Sequence, residues 1–240
     1  MDPEPPSAVD VSRPSVARMV CITILGMQIF VLLCLTGIKY DLYLDAYPKT
    51  IDVIVEARHF LRRTVRYMCF QGIDQFIDMG SGLPSADNTH QVAQRVNPNA
   101  RVVYVDIDEA AVTFRRQMLS GDPTTAFIQG SVLELEPILN HEETRKLIDF
   151  SKPVGVLMMG LLHFFSVDTD QAILKDLQDI LAPGSLLSFS HMSVVEQIME
   201  GYSVIEPGLV LMHEWKMDIA EEGEPEAPQT SIMVGVVLCT

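Results

Sequence analysis

Basic residues are scarce in this chain. Its 17 Lys and Arg stand against 32 Asp and Glu in 240 residues, a formal net charge of −15. So acidic a surface repels phosphate backbones, which argues against nucleic acid as a partner. Cysteine is scarce too. Cys21, Cys34, Cys69 and Cys239 form no CxxC pair. That excludes a disulfide scaffold and a cysteine-rich zinc site, and it suits a reducing compartment such as the cytoplasm. Six histidines are spread without metal-ligand spacing, so no metal is expected. No repeat of fixed period is present. The first residues, Met1 to Arg18, are too acidic and Pro-rich to read as a secretory leader.

Apolar residues, by contrast, are plentiful. They make up 48% of the chain, and the mean hydropathy is +0.21. The length suits one domain with small additions. Much of the excess sits in Met19–Ile38, a run without charge bracketed by Arg18 and Lys39. Twenty such residues in a helix can cross a bilayer core of about 30 Å, so the run is a candidate membrane anchor. The alternative is a helix or strand pair buried in a core. The basic residues on its flanks give no orientation. The division expected is an arm with an atypical apolar segment at 1–48, then a catalytic-type domain at 49–240.

From Lys49 to Gly72 the spacing predicts a helix. Phe60, Leu61, Val65 and Met68 recur at three- and four-residue steps, and Arg58, Arg62, Arg63 and Arg66 lie mostly on the other side. Then short apolar runs alternate with amphipathic stretches. Strands are expected at Gln75–Met79, Arg101–Val105, Ala126–Gln129, Val154–Leu161 and Ser185–Ser190. Helices are expected at Asp87–Val96, Glu109–Leu119 and Thr169–Leu181, with Glu134–Phe150 helical in parts. Such an alternation indicates a parallel sheet covered on both faces. Ser203–Leu211 and Ile232–Leu238 follow with no long helix between them. They suit a terminal antiparallel hairpin around the acidic loop Asp218–Pro228.

The most informative stretch is Phe76-Ile77-Asp78-Met79-Gly80-Ser81-Gly82-Leu83-Pro84. A strand leads into glycines two apart, with a helix to follow. Glycines there permit a tight turn and close approach of a ligand, and the helix start offers free N–H groups to an anion. Asp106 ends the next strand, followed by Ile107. A carboxylate there can accept hydrogen bonds from both ribose hydroxyls of an adenosine-type cofactor, or it can cap the following helix. NAD suits the pattern less well, because Ser85 stands where a dinucleotide loop has its third glycine and Asp78 opposes a pyrophosphate. The cationic S-adenosyl-L-methionine suits an acidic strand end better. In such an architecture Gln129-Gly130-Ser131-Val132 lies beside the adenine, and the fourth strand ends near the sulfonium at Gly160. His163 and His191 follow the fourth and fifth strands. Each reads either as a proton acceptor for a substrate or as a pocket-shaping residue. His90 reads as a helix-face residue near the cofactor loop.

These residues resemble one family closely. Phe60–Tyr67, Gly72–Pro84, Ala86–His90, Arg101–Asp108, Leu162-His163-Phe164, Leu181–Ser185, Ser190-His191, Glu206–Val210 and Glu214-Trp215 occur in its order. The chain resembles the actinobacterial S-adenosylmethionine-dependent methyltransferase family, first catalogued as a domain of unknown function. The resemblance covers about residues 50–240 and Ser12–Arg18. It implies a three-layer, Rossmann-like α/β class I methyltransferase fold: a seven-stranded, mostly parallel sheet with a C-terminal antiparallel hairpin. It implies cofactor contacts at Asp78, Gly80, Gly82, Asp106 and Ser131. With the readings above, the candidate set is Asp78, Gly80, Ser81, Gly82, Asp106, Ile107, Ser131, Val132 and Gly160, with His163 as the catalytic candidate and a small molecule as methyl acceptor. Three departures stand out. The apolar run after Arg18 replaces a polar segment that covers the family's active site. Ser131 stands where an acidic residue is usual. The link Met192–Gly201 is short where the family has a helical insertion. They motivate a second expectation, a non-catalytic binding module on the same fold. A cytosolic cofactor weighs against the membrane anchor at Met19–Ile38.

Overall fold

The structure is a computed structural model that describes residues 50–240 except 83–86, 119–120, 193–194, 220–227 and 229. The arm at 1–48, with its candidate span Met19–Ile38, lies outside the described residues. Among those described, no helix is long and apolar enough to cross a membrane.

Helix α1 (Thr50–Phe70) opens the described chain. Its apolar stripe, Phe60, Leu61, Val65 and Met68, is buried, and Gly72 stops it with φ of 88°. One arginine departs from the expected polar face. Arg63 is fully buried. It donates to Glu56 Oε1 at 2.7 Å, to Met212 O at 2.8 Å and, through Nε, to Trp215 O at 2.8 Å. A buried cation persists because a carboxylate and two carbonyls replace its water.

The alternation then unfolds as β1 (Gln75–Met79), α2 (Thr89–Val96), β2 (Arg101–Asp106), α3 (Glu109–Met118), β3 (Thr125–Gln129), α4 (Leu135–Leu139), α5 (Glu142–Leu147), β4 (Gly155–Met158), α6 (Val167–Ile180), β5 (Leu186–His191), α7 (Val195–Ile198), β6 (Ser203–Val204), β7 (Val210–Leu211) and β8 (Met233–Leu238). The sheet order is β3-β2-β1-β4-β5-β8-β6, with β7 also on β8. β3, β2, β1, β4 and β5 pair in parallel, and β8 runs antiparallel to β5. Alternate strand residues feed two cores. Ile77, Val103, Val156 and Leu187 pack beneath α4 to α7. Phe76, Val102, Leu157 and Leu186 pack beneath α1, α2 and Trp215. This is the expected three-layer α/β arrangement.

Most boundaries fall within two residues of expectation, and two departures are larger. The fourth strand stops at Met158 rather than Leu161, because Gly160 turns the chain with φ of 63°. The strand expected over Ser203–Leu211 is broken into β6 and β7. Residues 205–209 stand opposite only Gly235 and Val236 of β8, so a bulge carrying Pro207 interrupts the ladder. Among the described residues the sheet thus has eight short strands where seven were expected, the sixth being split.

Candidate cofactor and acceptor site

The site lies at the carboxyl ends of β1, β2, β4 and β5, where the order turns from β1 to β4 and parallel strands leave a crevice. β1 delivers Asp78 and then the glycine turn. Gly80 and Gly82 adopt φ of 70° and 60°, conformations that side chains resist. The N–H groups of Gly80 and Ser81 both donate to Val105 O, at 2.9 and 3.1 Å, which ties the turn to β2. A Cβ on Gly80 would stand 3.0 Å from Leu161 Cδ1, so the β4 loop closes directly over it. Leu83 and Pro84 lie outside the described residues.

Asp106 is buried at the end of β2. Its Oδ2 accepts from Gly82 N at 2.7 Å and its Oδ1 from Asp108 N at 2.9 Å. It therefore caps the turn toward α3, one of the two sequence readings, and it also holds the glycine loop. Each oxygen keeps a further lone pair for a hydroxyl. Burial raises its pKa above the usual carboxylate range, against the lowering by those two N–H groups. Asp78 is also buried, and its Oδ2 accepts from Thr89 Oγ1 at 2.6 Å at the start of α2. Burial raises its pKa, while Thr89 and the nearby Arg115 and Arg58 lower it. Two carboxylates held at a desolvation cost are what a cationic ligand would relieve.

Arg115 of α3 had no part in the sequence reading. It is buried and donates to Ser81 O and Gly82 O, both at 2.6 Å, with Nη1 3.5 Å from Asn88 Oδ1. Its guanidinium lies 4.5 Å over the Tyr104 ring. The signal was present in helical spacing, since Arg115 shares a face with the buried Ala111 and Val112.

The other candidates divide. Ile107 is 71% exposed, an apolar side chain left open at the edge of the crevice. Ser131 turns its hydroxyl to Leu133 N at 3.3 Å. Val132 does not line the crevice with its side chain, which packs in the core beneath the sheet. Gly160 is exposed, and its N–H donates to Ser190 Oγ at 2.8 Å, joining the ends of β4 and β5. His163 is half-buried in the turn Leu162–Phe164 and packs on Phe164. His90 lies in the first turn of α2 and is buried. Its backbone N–H donates to Tyr104 Oη at 2.9 Å, and its Nδ1 stands 2.6 Å from the same oxygen. Burial lowers its pKa. His191 is buried, 3.8 Å from Asp170 Oδ2. Among the described residues no group of three His, Cys, Asp or Glu could hold a metal ion.

A sheet of this order, with a glycine turn after β1 and a carboxylate ending β2, defines a class I methyltransferase. The chain belongs to the S-adenosyl methyltransferase family, whose model matches residues 2–194. It is an S-adenosyl-L-methionine-dependent enzyme. The chain is similar to a crystal structure from Thermobifida fusca YX, provisionally assigned as a methyltransferase, at 30% identity over all of both chains and a TM-score of 0.82. It is similar to a DUF574 family protein from Streptomyces avermitilis MA-4680, with 24% identity over 96% of this chain and 99% of that one, and a TM-score of 0.78. The fold alone is shared with magnesium protoporphyrin IX methyltransferase of Synechocystis PCC 6803, solved with bound SAM. There the identity is 13% over 80% of this chain and 83% of that one, with a TM-score of 0.52. No curated protein matches the chain.

Proposed function

We propose that the crevice holds S-adenosyl-L-methionine across the ends of β1 and β2, with a small-molecule methyl acceptor facing β4 and β5. The observation that carries this is the junction of Asp106, Gly82 and Asp78, in which a carboxylate with spare lone pairs fixes the glycine turn beside a second buried carboxylate. When bound, the cofactor supplies an electrophilic methyl group on a sulfonium. Asp106 would receive the ribose hydroxyls, and the turn Gly80-Ser81-Gly82 would back the methionine portion. Asp78 would face its ammonium. Ile107 and Ser131 would border the adenine, and Gly160 would lie toward the methyl group. Val132 would contribute through its backbone. His163, half-open at the end of β4, would touch the acceptor. These groups bind and orient; positioning accounts for most of the acceleration of an in-line displacement. A small acceptor is in keeping with magnesium protoporphyrin IX methyltransferase, which shares the fold and is named for such a substrate.

Transfer of label from [methyl-3H]-S-adenosyl-L-methionine into a fractionated actinobacterial extract tests the reading. Label should enter the low-mass fraction and vanish with Asp106→Ala. Label in protein or nucleic acid would contradict a small-molecule acceptor, and no transfer at all would favour the non-catalytic module.

A further inference from the structure

Beside the cofactor turn, three titratable side chains from three elements form a row. Asp170 belongs to the first turns of α6, His191 ends β5, and His163 lies in the turn after β4. His191 Nε2 is 3.8 Å from Asp170 Oδ2. The His191 and His163 rings meet edge to face, with centroids 6.2 Å apart. The row runs from a fully buried carboxyl to a half-buried imidazole at the mouth of the crevice. A Cβ on Gly160 would stand 3.8 Å from His163 Cε1, which puts that ring at the fourth strand's end.

Asp170 is the unusual member. Neither carboxyl oxygen accepts a hydrogen bond, whereas a carboxyl buried for structure alone is normally satisfied. The other charged side chains of α6, Asp168, Lys175, Asp176 and Asp179, are exposed, as is Glu196 of α7. β4, β5 and β8 present no titratable group except His191 itself. Tyr202 turns its hydroxyl to Gln171 O at 3.2 Å, and the titratable group in contact with the buried carboxyl among the described residues is His191.

We propose that this row is the proton-accepting side of the active site: His163 takes the proton that leaves the methyl acceptor, with His191 and Asp170 as positioning residues behind it. The substrate class follows. The acceptor's nucleophilic atom is an oxygen or nitrogen that carries a proton. The proton passes from that O–H or N–H to a ring nitrogen of His163, and the freed electron pair forms the bond to the methyl carbon. The balancing cleavage is the sulfonium C–S bond, whose electrons stay on sulfur. Burial pushes the Asp170 carboxyl up to about 6. Burial and the like charge of His191 lower His163, which leaves it neutral and able to accept.

The proposal rests on the methyltransferase reading but fails separately from it. Histidine ring 1H–15N spectra of the full chain, with and without S-adenosyl-L-homocysteine, provide the test. In the wild type, His163 should lose its proton at a lower pH than His191. His191→Asn should raise the His163 midpoint by about half a pH unit or more, and Asp170→Asn should lower that of His191. Should a variant fail to fold, the wild-type order decides. The reverse order, or a His163 midpoint unmoved by His191→Asn, overturns the proposal. So does a labelled product that is a quaternary nitrogen or a sulfonium, formed without loss of a proton. A methyl ether or a methylated N–H supports it, and an ester, formed from a carboxylate that has no proton to give, overturns it. Failure of the wild type to bind S-adenosyl-L-homocysteine would instead sink the cofactor reading and leave the titration order standing.

Discussion

On the proposed reading, Asp78 and Asp106 serve the ligand more than the fold. Both have pKa values raised by burial. A carboxyl that holds its proton more tightly when folded adds stability below its unfolded value, about pH 4, and loses it as pH rises through the folded value. At neutral pH the ionised groups therefore weigh against the free protein. Asp78→Asn keeps an acceptor for Thr89, so it should raise the unfolding free energy near pH 7 by about 0.5–2 kcal/mol while abolishing cofactor binding. Urea titrations at two pH values check this, and a variant less stable than wild type at neutral pH would refute it. Cofactor affinity should move the other way with pH, weakening on acidification from above the ordinary carboxylate range. Arg115→Met removes the donors to Ser81 O and Gly82 O and should cost about 2–4 kcal/mol, with a loss of cofactor affinity. Arg115→Lys should restore only part, since an ammonium cannot fork to both carbonyls. Asp78 and Asp106 were legible because strand ends and glycines mark their places. Arg115 and Arg63 were not, because a charged residue on a helix reads as solvated until its burial is seen.

Packing at the level of elements depends on one strand position. A Cβ on Gly155 of β4 would come within 2.7 Å of Phe76 Cδ1 and 2.8 Å of Met68 Sδ, so α1 and β1 fit only around a bare backbone. Gly155→Ala should destabilise by about 1–3 kcal/mol, read by urea unfolding. Trp215, the only tryptophan, is fully buried. It meets the edges of Phe60 and Tyr67 with ring centroids 5.3 and 5.7 Å apart. Its Nε1 has no hydrogen-bond partner. Trp215→Phe should accordingly cost much less than Trp215→Ala, which should cost about 3–5 kcal/mol; equal losses would show that the indole is held by more than its packing. Strand and helix order was readable from period alone, and β1 falls on the expected residues. The break in the sixth strand was not, because apolar spacing continues through Ile205 and Leu209 while the bulge leaves the ladder.

For the molecule as a whole, the acidity and the apolarity separate. Two apolar cores line the faces of the sheet, and acidic side chains such as Asp168, Asp176, Asp179 and Glu196 stay exposed. The family match spans residues 2–194 and so runs through Met19–Ile38, the stretch that raised the membrane question. The central claim is that Asp106, the glycine turn and Asp78 form the cofactor site. Isothermal titration of the full chain with S-adenosyl-L-homocysteine tests it most directly. The account predicts one site per chain, lost in Asp106→Ala and weakened at least about ten-fold, or about 1.4 kcal/mol, in Arg115→Lys. Binding that is unchanged in Asp106→Ala would contradict it.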